Sequence, residues 1–523
     1  PNGRNLTVTG LTVVGAGGAE DAATLTCSSG TISLGTGVTS DYGLSVLQGG
    51  TFVGNGGAHT MGSISVANHA HAKCTLTDDV TTINGEHSGD NRCLNVKGAD
   101  GVLVHGGGTV TITFAGTSGF QELSGTLALN NLIINHSSAH MSMKSILTLA
   151  GTLTVTAGTL TTDNNYALTV TGGRIIVDGT LLLNNSTVLI SDTGSDLYCS
   201  NSGTVTCGDA NLTVNAFACG QGTFTAPSAS GSFIITGEKS NLAFDYDGNN
   251  YIHNSGTVEI RTQDTTLVDF EPNDAAHIDI NNVIINHASC VATLAATASI
   301  AGNLTITAGQ LTTSGSNYAL TVTGDVSVTG TLTGNESAIT IGGGLYIAAA
   351  GTYSATNQTT TIQGETSSPT PYAGYAIFNT ANGTFTHNNG MVLVTTNGNT
   401  LIFGMEGDDV SGTGANALNR LQVELGSSSN RLELDPAAGT AHVIKGNVTV
   451  AEGSLYPDDH AHTLTVEGDV SIESGGTLGH ASRTGAMSFG SLTIASGGTY
   501  SATSGTTTIV GAGTIYAGGN PEI

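Results

Sequence analysis

The sequence predicts an all-β protein, a right-handed parallel β-helix (β-solenoid) carrying three long internal repeats. Three observations predict it: a composition of strand and turn formers, a 151-residue internal repeat, and a shorter period of about 20 residues within it. The composition comes first. The 523 residues include 75 Gly and only 8 Pro, no Trp, 38% hydrophobic and 10% charged residues, with Thr, Val, Leu and Ile in nearly every segment. That mixture suits short strands joined by tight Gly or Asn turns. Helices of this total length would need many more Lys, Glu, Gln and Arg on their solvent faces, and no segment has helical periodicity.

The long repeat is read by setting NNLIINHSS, from Asn130, against NNVIINHAS, from Asn281, 151 residues later. Each is followed by the same text, AGTLTVTAGTLTTDNNYALTVTGG from Ala150 and AGNLTITAGQLTTSGSNYALTVTGD from Ala301. A diverged third copy reads NRLQVELG from Asn419 and KGNVTVAEGSLYPDDHAHTLTVEGD from Lys445, and its GGTYSATSGTTTIVG from Gly497 matches AGTYSATNQTTTIQG from Ala350. The expected organisation is an irregular β N-terminal region or cap (1–125), then solenoid units at 126–265, 266–413 and 414–523. The stretches 241–279 and 365–419, where periodicity fades, are the expected breaks.

The short period appears in the apolar ends of similar strands. Ile306, Val322, Ile341 and Ile362 are separated by 16, 19 and 21 residues, and Val450, Val466, Phe489 and Ile509 by 16, 23 and 20. In Asn303–Gly309 apolar residues alternate with Thr, so Leu304 and Ile306 point inward while Thr305 and Thr307 face solvent. Leu320 is expected to stack on Leu304 from the next coil, and at about 20 residues per coil the chain makes about 26 coils. Tandem β-sandwiches of about 150 residues are the alternative fold, but they leave the short period without a cause.

Charge and chemistry narrow the function. With 12 Lys plus Arg against 39 Asp plus Glu the net charge is −27, which repels nucleic acid and anionic membrane surfaces. No run of 18 apolar residues exists to span a bilayer. The numbering opens at Pro1 without a signal peptide, so the chain is expected to be processed or part of something longer.

Cys27, Cys74, Cys93, Cys199, Cys207, Cys219 and Cys290 form an odd set without a C-x-x-C pair, against a zinc or redox motif. Cys199, Cys207 and Cys219 can meet on adjacent turns, where one disulfide and buried free thiols both fit. Asp245–Asn250 offers closely spaced oxygens to calcium but places its Gly too early for a calcium loop, and an Asx-rich turn fits better. Glu406–Asp409 is a second acidic cluster. His69 with His71, and Asp458–His462, have the spacing of two ligands on one strand face without a third. His136 and His287 recur in two copies but give way to Leu425 in the third, which points to a structural role.

The Asn-x-Thr sequons at Asn5, Asn211, Asn303, Asn357 and Asn447 follow from Asn favouring the turn and Thr the strand after it. Tyr166 with Tyr318, and Tyr353 with Tyr500, recur at equivalent places, as packing residues do. No catalytic, cofactor-binding or metal-ligating residue is assigned, and no cofactor is expected.

At its N-L-T-I-T-A-G, Y-A-L-T-V-T-G and N-N-L-I-I-N-H segments the chain resembles Thr- and Gly-rich β-solenoid repeat proteins of two sorts. One comprises phage appendage and virion-surface proteins, the other bacterial filamentous adhesins. The resemblance covers about three quarters of the chain. It implies a structural or adhesive extracellular rod, a virion-surface or fibre component, with a cell-surface adhesin or filament subunit as the alternative and a polysaccharide-degrading tailspike-type enzyme behind both. Implied partners are other structural subunits, copies of the chain itself, and a host-surface glycan or protein. Enzymatic activity, nucleic acid and membrane insertion are not expected.

Overall fold

Alternating apolar and Thr residues can bury one face of a strand only if something lies against it, and here the chain lies against itself. The computed structural model describes residues 3–15, 22–35, 42–69, 71–87, 89–122, 126–200, 202–246, 251–270, 280–313, 315–367, 373–396, 400–405, 416–434, 441–457, 462–510 and 515–517. It is an all-β parallel β-helix of about 19 turns in all, whose only helical turn among the described residues is Asp163–Asn165. The all-β parallel β-helix is as predicted, and the sandwich alternative is set aside. Contacts divide the chain into two compact units, Pro1–Thr257 with Asn273–Ile278 and Val258–Pro272 with Asp279–Ile523. The division falls within the stretch 241–279.

In the first unit a typical coil has three short strands, such as Ile175–Val177, Thr180–Leu182 and Thr187–Ile190. Each pairs in parallel with its counterpart one coil on: Ile175 with Leu197, Thr180 with Thr204, Thr187 with Asn211. The inward positions therefore form columns. One runs Val8, Leu34, Met61, Ile83, Ile112, Ile134, Val155, Val177, Cys199, Cys219, Tyr246. From Leu34 to Cys219 its members are buried. Each such aliphatic side chain contributes roughly 1.5–3 kcal/mol on leaving water, and the column has no edge except at its ends.

The second unit repeats the arrangement, with Val326, Leu345 and Ile377 in register on one face, Leu332, Tyr353 and Phe385 on the next, and Val322, Ile341, Ile362 and Val394 on the third. Leu304 and Ile306 are buried and Thr307 is exposed, as the alternation requires. Two expectations fail. Leu320 does not stack on Leu304. Leu304 lies between Val283 and Val326, whereas Leu320 lies between Ala298 and Ile339 on another face of the coil. The 16-residue steps are therefore changes of face, while the 19- and 21-residue steps are true coils. Coils are also longer than expected, up to 32 residues from Leu345 to Ile377, so about 19 replace the expected 26.

The 151-residue repeat maps onto like elements. Asn131–Met143 and Asn282–Leu294 are both 13-residue strands, and Leu153–Thr161 and Leu304–Thr312 both span nine residues, as does Val448–Tyr456 in the third copy. At one corner of each copy a side-chain oxygen reaches the following coil. Asn282 Oδ1 accepts the Asn303 N–H at 2.9 Å, Asn303 Oδ1 the Asp325 N–H at 2.8 Å, and Asp325 Oδ1 the Gly344 N–H at 3.1 Å. Asn131 and Asn447 serve Thr152 and Asp469 in the same way, at 2.8 and 3.0 Å. A glycine precedes each receiving residue because a Cβ there would strike the oxygen from below, as at Gly302 with Asn282 and Gly324 with Asn303.

The sequons at Asn303 and Asn447 are thus corner clamps in which Thr is the second residue of the strand that follows. Replacing Asn303 by Ala is expected to cost about 1–2 kcal/mol, because it orphans the Asp325 N–H. The denaturant midpoint of the second unit measures it, and the exposed Asn357 replaced by Ala supplies the contrast.

Candidate functional site

Three clusters or hollows of polar side chains on the Thr- and Ser-rich outer faces of the described residues carry chemistry to weigh. The first, in the first unit, gathers around Tyr42. The strands Leu44–Val46, Ile64–Val66, Arg92–Val96 and Gly116–Glu122 stack so that Ser45, Ser65, Asn95 and Gln121 form an outward polar column. The turn after Asn84 folds over it. The Tyr42 hydroxyl donates to Asp90 Oδ2 at 2.6 Å and accepts from Asn95 Nδ2 at 2.7 Å, while Asp90 Oδ1 meets His87 Nδ1 at 2.7 Å. Arg92 Nη1 lies 3.3 Å from Asp90, the His87 ring stacks on Tyr42 with centroids 4.2 Å apart, and the Lys97 ammonium lies 5.0 Å from the Tyr42 ring centre.

Burial, then the bond to Asp90, pushes the Tyr42 hydroxyl well above its ordinary range. Burial works against the Asp90 carboxylate, but the hydrogen bonds from Tyr42 and His87 outweigh it and hold its pKa down. Such a His–Asp pair could orient a base, yet among the described residues no nucleophile is hydrogen-bonded to His87. The arrangement clamps the turn to the flank.

The second place, also in the first unit, is a hollow of about 230 Å³. Its floor is Ala218, in register between Tyr198 on one coil and Asp245 on the next. Beside it Asp196, 2% exposed, binds two cations. Arg174 reaches it with Nε–Oδ1 at 2.5 Å and Nη2–Oδ2 at 2.7 Å, and Lys239 Nζ lies 2.9 Å from Oδ1. The Arg174 guanidinium also sits 5.2 Å from the Tyr198 ring centre. Lys239 stands at the start of a two-residue turn closed by reciprocal Lys239–Leu242 backbone bonds, with Ser240 and Asn241 at φ of 55° and 69°.

The third place is an open hollow of about 430 Å³ in the second unit, lined by Gln363, Thr395, Thr396, Glu424, Gly426 and Glu452. Glu424 and Glu452 are in register on adjacent coils. Paired carboxylates are what glycoside cleavage uses, but among the described residues the lining holds no basic or large apolar side chain to divide them into an acid and a base.

The residues singled out in the sequence mostly close turns. His136 and His287 each accept a backbone N–H two residues on, from Ser138 at 3.1 Å and Ser289 at 3.3 Å. His105, His253, His387 and His480 do the same for Gly107, Ser255, Asn389 and Ser482. In the third copy Leu425 is fully buried at that corner and packs under Gly453. Tyr353 and Tyr500 are buried, with their hydroxyls 2.7 and 2.6 Å from Thr360 and Thr507, and Tyr166 and Tyr318 are half-buried.

All seven cysteines are buried free thiols, and Cys199 and Cys219 stack in register. A hydrogen bond from Cys219 lowers the Cys199 pKa, and the same bond with burial raises that of Cys219. Burial pushes the Cys93 thiol up to about 12. Among the described residues no three His, Cys, Asp or Glu converge as a metal site. Asp247–Asn250, Glu406–Asp409, Ala70 and Asp458–Ala461 lie outside the described residues, and Asp245 belongs instead to the hollow over Ala218.

His59 has no counterpart in the sequence reading. It occupies an inward column between Ile32 and Thr81, is fully buried, and among the described residues has no hydrogen-bond partner on either ring nitrogen. Burial lowers its pKa from the usual 6.5. Below pH 6.5 the unfolded chain therefore takes up a proton that the folded one refuses, and stability falls with pH until the folded value is reached. Replacing His59 by Leu is expected to raise the melting temperature at neutral pH and to widen the gap as pH drops below 6.5, as thermal scans across that range will show.

No protein-family model, curated protein or solved structure matches this chain.

Proposed function

We propose that this chain is an extracellular structural or adhesive rod and, on its resemblance, a virion-surface or fibre component of a phage. One observation carries the reading. Turn after turn the interior is filled by the chain's own side chains, and the strands of each coil bond to those of its neighbours. A long stack of this kind holds its form without a partner or cofactor, and its outward Thr and Ser columns suit scaffolding rather than turnover. Its partners are other structural subunits, copies of itself, and host-surface glycan or protein. Its acidity keeps it off nucleic acid and anionic membranes.

Immunogold labelling of particles and cells from the source culture tests this. Gold on virion surfaces is the expected result, gold on cell walls would assign the chain to an adhesin or filament, and labelling confined to the cell interior would overturn the reading. Incubation with a panel of polysaccharides should release no reducing ends, and sustained turnover would replace the rod with a tailspike-type enzyme.

A further inference from the structure

We propose that the hollow over Ala218 is a saccharide-binding site that takes one neutral hexose-type ring of a glycan, a proposal that deepens the adhesive reading and rests on it. The hollow exists because one rung of an outward column is small. Ile176, Tyr198, Ala218 and Asp245 are in register on four successive coils, so the walls Tyr198 and Asp245 stand two strand spacings apart, roughly 10 Å between backbones. Ala218 and Leu242 give the floor an apolar surface. Arg174 and Lys239 bring N–H donors to the rim, and Asp245 and the exposed Ser240 bring acceptors.

The charges decide the ligand class. Arg174 and Lys239 are held by the buried Asp196, and Asp245 stands on the facing wall, so two positive groups meet two negative ones. A free anion would meet a site already neutralised, and a metal cation would have to displace both bases from Asp196. A wholly apolar ligand would strand the rim's donors and acceptors. A sugar ring has the required combination: hydroxyls that donate and accept around its edge, and C–H faces for Ala218, Leu242 and the Tyr198 ring. Because Asp196 fixes both cations, their donors are placed before the ligand arrives, which lowers the ordering cost of binding.

Saturation-transfer NMR of the whole chain with the methyl glycosides of glucose, galactose, mannose and N-acetylglucosamine, alongside a printed array of neutral and acidic glycans, tests the site. Saturation of ring protons in at least one glycoside is expected, with binding weakened about tenfold or more by Ala218→Trp, which fills the hollow, and by Asp245→Asn, which removes the acceptor wall's charge. Circular dichroism checks the fold of both variants, and should Ala218→Trp not fold, Asp245→Asn and Lys239→Gln carry the test. Binding to no glycan, or binding undiminished in the folded variants, overturns the proposal. Adherence of the wild-type chain to cells or protein-coated surfaces is measured in parallel. Adherence without glycan binding sinks the hollow and leaves the adhesive reading standing, whereas the absence of both sinks the two together.

Discussion

Replacing Phe217 by alanine is expected to destabilise the first unit by about 4 kcal/mol. The ring is 1% exposed and sits in an aromatic cluster, with centroids 4.5 Å from Phe224, 5.0 Å from Phe244 and 5.3 Å from Phe233. Removing it loses the transfer energy of the ring and leaves a void. That void cannot collapse easily, because Leu197 below and Phe244 above are held in register by backbone ladders. Phe217→Leu, which keeps most of the volume, should recover more than half of the loss. Denaturant titration of the unit reads both values, and a loss below about 1 kcal/mol for the alanine variant would mean that the coils move together freely.

Valine at Gly158 or Gly309 is expected to cost about 3 kcal/mol or more, by a different mechanism. Both glycines lie mid-strand at φ of 83° and 79°, where a β-branched residue is strained. The ladder to the preceding coil shifts register beside each of them. A Cβ at Gly158 would strike the carbonyl oxygens of His136 and Ala139, and one at Gly309 those of His287 and Cys290. These atoms belong to the backbone of the coil below, so they cannot swing aside. Alanine should be nearly as damaging, which separates this effect from lost flexibility. Amide hydrogen exchange in Asn131–Met143 and Asn282–Leu294, the strands beneath, is the direct measure.

The strand grammar was plain in the text because Leu304-Thr305-Ile306-Thr307 needs only the period of two to declare its inner face. The repeat was equally plain, since Asn131–Met143 and Asn282–Leu294 share sequence and strand alike. What the text concealed was which strand lies above which. All the faces of a coil use the same alternation, so the step from Ile306 to Val322 looks like the step from Val322 to Ile341, although the first turns a corner and the second climbs a coil. Turn insertions of varied length, such as the one that makes Leu345 to Ile377 a 32-residue coil, hid the count.

The polar clusters were hidden for the same reason. Arg174 and Asp196 are 22 residues apart and Lys239 another 43 on, separations near one and two coils, and opposite charges recurring at such intervals were the available signal. His59 gave none, because nothing local marks a histidine on an inward rung.

The corner clamp, an Asn or Asp beneath a Gly, makes each turn that carries it a socket for a further turn of the same kind. A whole added coil of this kind finds its N–H acceptor below and offers one above, while a single residue added within a strand turns the rest of that strand's side chains to the wrong face. Length is therefore the property this chain can change most cheaply over generations. The near-identical text at Asn130 and Asn281 is what such lengthening leaves behind: a molecule extended by copying, whose reach can be reset without redesigning its interior.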